Sequence, residues 1–149
     1  PRTFSSAASD VYKRQQDSLS VSYDIEIAAT AARVWDVFTN PEYDKVLGAE
    51  FDKGAFMESD WKLGSQVHFK YEPDKTVISG TISKLVENKL VQIDYNFFGQ
   101  DYVEIFAFKE LENGTVLDIF AGPYTSDLEA HKVVWQNWLA KVKEISEGE

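Results

Sequence analysis

Few side chains in this sequence can move protons, and their neighbours sort them. His68 and His131 are the two histidines. His68 lies between Val67 and Phe69 in an alternating stretch, which turns it toward solvent. His131 falls one helical turn ahead of Trp135 on the apolar face of a predicted helix. There it can touch a bound molecule or hydrogen-bond at the rim of a core. Asp118, between Leu117 and Ile119, and Glu104, inside an aromatic stretch, are the carboxylates set among apolar neighbours. Facing inward, either becomes a buried acid with a raised pKa, a candidate proton donor or acceptor. Facing outward, it is an ordinary solvated group. Tyr95 completes the polar set that a catalytic pocket would draw on.

Other chemistries lack their residues. The chain has no cysteine, which removes disulfides, thiolate catalysis and cysteine metal sites. It has no HExxH and no paired-histidine spacing, so no metal is expected. GxSxG, GxGxxG and GxxxxGK[ST] are absent, so neither a serine nucleophile of that type nor a nucleotide cofactor is expected. No cofactor of any kind is expected. The formal net charge of −10 disfavours nucleic acid and anionic membranes, because phosphate contacts need clustered Lys and Arg. No apolar run reaches the ~18 residues a membrane span needs.

The elements that must position these groups follow from periodicity. The chain has 149 residues, a length that suits one domain, and 14% of them are aromatic. The last predicted helix runs from Asp127 to Ile145. Leu128, His131, Trp135, Trp138, Val142 and Ile145 share one face of it. Ser126 and Glu129 have the spacing of a capping box. Val21 to Ile27 alternates as a half-buried strand. Thr30 caps a helix over 31–39, and Asn40-Pro41 ends it, with one or two helical turns in PEYDKVLG. Strands follow around Phe56-Met57, at 65–71, at 76–86 with a bulge or bend at Gly80, at 90–98, at 102–109 and at 115–121. Glu112-Asn113-Gly114 reads as a hairpin turn with a positive φ at Gly114. Short turns imply an antiparallel meander, and the final helix is the element long enough to cover it.

Residues 5–15, SSAASDVYKRQ, resemble one translated frame of a sequencing adapter, so residues 1–16 are set apart as an artefact and 17–149 are taken as the domain. On this reading the natural start is missing, and a cytoplasmic location is the expectation.

The stretches ARVWDVFTNPEY, WKLGSQVHF, ISGTISKLVENKLVQIDY, GTVLDI and WQNWLAKVKE resemble the START/Bet v-type superfamily, also called SRPBCC. The likeness spans nearly all of Ser20 to Ile145. Within the superfamily they are most similar to small bacterial homologues named after an activator of a heat-shock-protein ATPase. The resemblance implies an α+β helix-grip fold: a curved antiparallel sheet of six to seven strands around a long C-terminal helix, with two short helices after the first strand. It implies a cavity between sheet and helix that takes a small apolar or amphipathic molecule.

The residues give that cavity candidate walls. Phe69, Tyr71, Ile82, Tyr95, Phe97, Phe106 and Phe108 are placed on the helix-facing side of the sheet, opposite His131, Trp135 and Trp138. Phe38, Tyr43, Phe56 and Trp61 are placed at one end as a gate. The competing explanation is that these rings simply fill a core. Binding ranks ahead of catalysis on an aromatic or polyketide-like substrate, for which Asp118, Glu104, His131 and Tyr95 are the candidates. A chaperone-related role ranks last, because the chain is a lone domain.

Overall fold

The structure, a computed structural model, describes residues 19–148. The boundary expected at residue 16 lies outside them. Seven strands form one antiparallel sheet: β1 (Val21–Ile27), β2 (Ala55–Ser59), β3 (Gln66–Tyr71), β4 (Lys75–Val86), β5 (Leu90–Phe97), β6 (Gln100–Leu111) and β7 (Gly114–Gly122). Their order is β1-β7-β6-β5-β4-β3-β2, so β2 to β7 is a plain meander and β1 closes it beside β7. Between β1 and β2 lie α1 (Ala31–Thr39), a 3-10 turn (Pro41–Tyr43) and α2 (Asp44–Gly48). The chain ends in α3 (Leu128–Glu147), held by the curled sheet. This is the helix-grip arrangement.

Local chemistry explains most of these boundaries. Thr30 Oγ1 accepts from the Arg33 amide at 3.1 Å and caps α1, a contact of about 1 kcal/mol. Asn40 Oδ1 accepts from the Glu42 amide as Pro41 opens the 3-10 turn. In β1 the alternation holds: Val21 and Ile27 are buried, while Ser22, Asp24 and Glu26 face water.

Three expectations are corrected. No capping box forms, because Asp127 is left-handed (φ 57) and Ser126 lies outside the helix, which begins at Leu128. Gly114 is not among the positive-φ residues; its missing Cβ instead matters because one would lie 2.5 Å from the Ile27 carbonyl oxygen. The irregularities in β4 fall at Val77, against β3, and between Ile82 and Lys84, against β5, not at Gly80. Gly80 serves close packing: a Cβ there would sit 2.7 Å from the Tyr95 ring.

The two halves of α3 meet different surroundings. Its C-terminal half buries Trp138, Leu139, Val142 and Ser146. That end is tied down. Arg33 donates to the Ile145 and Ser146 carbonyls at 3.0 and 3.4 Å, satisfying groups a helix end leaves open. Glu147 accepts from the Ala28 amide at 2.8 Å and from Lys143 at 2.7 Å. The N-terminal half buries Trp135 and otherwise roofs a cavity. Among the described residues no helix is long and apolar enough to cross a membrane.

Candidate ligand-binding site

Beneath the first turns of α3 lies a cavity of about 410 Å³. Its floor comes from the meander, its roof from Ala130, His131, Val134 and Trp135. Of the residues placed there by sequence, Phe69, Tyr71, Tyr95, Phe97, His131 and Trp135 do line it.

A second hollow of about 260 Å³ lies under α1 and α2. Phe38, Trp61 and Trp138 line it, and Phe51 and Met57 stand in the wall between the two. The Phe38 ring packs 4.8 Å from Trp61 and 4.6 Å from Phe106. Ile82, Phe106 and Phe108 line neither hollow; they are core. Phe56 and Tyr43 line neither as well. Phe56 is buried beneath the ammonium groups of Lys45 and Lys70, and Tyr43 accepts from Arg33.

The polar part of the cavity wall centres on Glu104. In β6, Phe106 and Phe108 point at the helix, and a period of two carries Glu104 and Tyr102 to the same face. Glu104 keeps some surface open, and that surface belongs to the cavity. Tyr95 on β5, paired with Tyr102 and so diagonal to Glu104, donates to Glu104 Oε1 at 3.1 Å. Burial dominates its titration: the Glu104 pKa is pushed up to about 7, with the Tyr95 hydrogen bond opposing the rise. Burial first, and then the Glu104 charge, raise Tyr95, Tyr102 and Tyr124 above ordinary phenols. The three rings form a run, Tyr95 stacked on Tyr102 at 4.8 Å and Tyr102 at 6.0 Å from Tyr124.

Tyr124 links this wall to the roof. Its hydroxyl accepts from Trp135 Nε1 at 2.9 Å, and its ring stacks on His131 at 3.7 Å. Burial lowers the His131 pKa, with Asp127 opposing, so the imidazole is uncharged near neutrality. At the mouth, Asp52 accepts from the Tyr71 hydroxyl at 2.6 Å, which lowers the Asp52 pKa. Asp118 faces solvent, opposite Asp24 across the β1–β7 pair, and takes no part in the cavity. His68 is half-buried and shares a 2.6 Å hydrogen bond with Ser79. Among the described residues no group of three or more His, Asp or Glu is arranged to hold a metal ion.

Tyr102, Tyr124, Phe51, Met57 and Ile78 also line the cavity and were not singled out by sequence. The parity of β6 was signal enough for Tyr102. Phe51 and Tyr124 stand in connections, where no period applies.

The family described as Activator of Hsp90 ATPase homolog 1-like protein matches residues 28–147. The chain belongs to that family. Its fold is similar to that of a protein from Chromobacterium violaceum, with a TM-score of 0.68 and 19% identity over 86% of this chain and 97% of that one. It is similar to the Aha1 dimer from Colwellia psychrerythraea, with a TM-score of 0.67 and 18% identity over 86% and 96%. It is also similar to DynU16, a protein of the dynemicin biosynthetic locus, with a TM-score of 0.68 and 12% identity over 88% and 48%. Identities this low speak for the shared fold alone. A comparison with curated protein sequences finds no match.

Proposed function

We propose that this member of the Activator of Hsp90 ATPase homolog 1-like family binds a small apolar or amphipathic molecule between the sheet and α3. The observation that carries this reading is the cavity itself. It holds about 410 Å³, is walled mostly by rings and aliphatic groups, and carries a few convergent polar atoms. That is the make-up of small-molecule sites. Trp135 lines it and supplies a natural reporter. The test is a fluorescence titration with fatty acids, sterols and flavonoid-like aromatics, repeated in Trp135→Phe. Saturable changes that vanish in the variant support binding at this place. Silence across the panel, confirmed by calorimetry, would falsify it.

A second reading, catalysis on an aromatic or polyketide-like guest, is favoured by Glu104. A carboxyl that titrates near pH 7, hydrogen-bonded to a tyrosine and open to the cavity, suits general acid–base work. Mass spectrometry of the recovered guest separates the readings. A product formed by the wild type and not by Glu104→Gln favours catalysis; an unchanged guest favours carriage.

A further inference from the structure

The cavity wall is one-sided in charge. Three carboxylates line it: Glu104 deep inside, Asp52 and Asp127 exposed at the rim. Among the described residues no Lys or Arg side chain lines it. Among the described residues Tyr95 is the hydrogen-bond donor to Glu104, and it engages Oε1 alone. A buried carboxyl without a cationic partner is costly, which sets Glu104 apart from a packing residue. Around it stand aromatic faces: Tyr95, Tyr102 and Tyr124 in a run, with Trp135 hydrogen-bonded to the last. The negative face of an aromatic ring attracts cations, and desolvation strengthens the attraction. His131 is uncharged near neutrality and does not oppose a cation. The net charge of −10 favours the approach of cations over anions.

We propose that the guest of this cavity is a hydrophobic amine, its ammonium group held by the Glu104 carboxylate and the faces of Tyr102 and Tyr124, its apolar part lying toward Phe69 and Trp135. The inference rests on the reading of the cavity as a binding site and names the class of ligand. A carboxylate guest would meet three acids and no counter-charge. A neutral guest would leave the Glu104 charge unmatched.

The pH dependence follows. The titratable groups sharing the cavity with Glu104 are Asp52 before β2, Tyr71 on β3, Tyr95 on β5, Tyr102 on β6, Tyr124 after β7, Asp127 just before α3 and His131 on α3. The phenols are raised above their ordinary range and burial lowers His131, while Glu104, pushed up to about 7, changes charge in this range. Amine binding needs Glu104 ionised, and the bound ammonium in turn lowers its pKa. Affinity for an amine therefore rises as pH rises through this range.

The test compares octylamine, octanol and octanoate by calorimetry with the full chain. At about pH 8 octylamine is expected to bind at least roughly tenfold more tightly than octanol, and octanoate most weakly. The amine-to-alcohol ratio is expected to shrink at about pH 6, where Glu104 is mostly protonated. In Glu104→Gln the preference for the amine over the alcohol is expected to vanish. Octanol or octanoate binding as tightly as the amine, or a preference that survives in Glu104→Gln, overturns the amine assignment and leaves the cavity reading standing. No binding by any of the three in the wild type overturns the amine assignment, and silence in the wider panel removes the cavity reading as well. The pH series on wild-type protein needs no variant, so it decides the matter even if Glu104→Gln fails to fold.

Discussion

The two halves of α3 use the same kind of residue for opposite ends. Around Trp138 the rings interlock: Phe106 lies at 5.5 Å, Phe38 at 5.9 Å and Trp135 at 5.5 Å. Around His131 the rings line a wall and leave the middle open. Aromatic content alone therefore does not make a cavity. The difference is the polar atoms. The half around Trp138 turns in mostly apolar rings and methyls, which pack on one another and leave only the smaller hollow under α1 and α2. The open half turns in the phenol oxygens of four tyrosines and the Glu104 carboxyl, groups whose hydrogen-bonding needs resist collapse.

The contrast can be broken by substitution. Trp138→Ala removes a ring that is 1% exposed at the centre of the closed half. It is expected to cost about 3–5 kcal/mol, read as a lower urea midpoint with an unchanged slope. Tyr102→Phe in the open half is expected to cost well under that.

Glu104→Gln sharpens the contrast through pH. The Glu104 pKa stands near 7 in the folded chain, above its ordinary 4.5. Ionising it in the fold is thus unfavourable. The cost is absent below the unfolded value, grows as pH rises between the two values, and is complete above the folded one. The variant is expected to gain roughly 3 kcal/mol over wild type at high pH, fading to nothing in acid. Urea melts at several pH values would show it, and a gain independent of pH would contradict it.

Gly80→Ala pushes on the cavity from behind. A Cβ there meets the Tyr95 ring at 2.7 Å, so the ring must shift. The expected cost is about 1–3 kcal/mol, with weaker ligand affinity measured by titration.

The smallest effect belongs to Ser146. It is 3% exposed, and its hydroxyl is buried with no hydrogen-bond partner among the described residues. Ser146→Ala is expected to leave stability unchanged or raise it by about 1 kcal/mol in a thermal melt.

The architecture was readable because its punctuation is local. Thr30 and Asn40-Pro41 bracket α1, and the β1 alternation has no gap. The same alternation settles two carboxylates once strand parity is followed. Asp118 sits between the inward Leu117 and Ile119, so it faces out; Glu104 shares parity with Phe106 and Phe108, so it faces in. The cavity roof was half legible, since His131 and Trp135 lie on the face the spacing predicted. What sequence spacing does not carry is how two elements meet. Phe51 reaches Trp135 at 5.0 Å from a loop, and Tyr124 joins the wall from the connection after β7. The division between closed and open halves also stayed hidden, because it depends on the depth of the sheet's curl beneath each turn of α3.

The tether at the end of α3 bears on the cavity roof. Arg33 and Glu147 anchor the last turn, at the end of α3 away from the turns that roof the cavity. Any tilt about that end would alter the cavity roof most and the packing around Trp138 least.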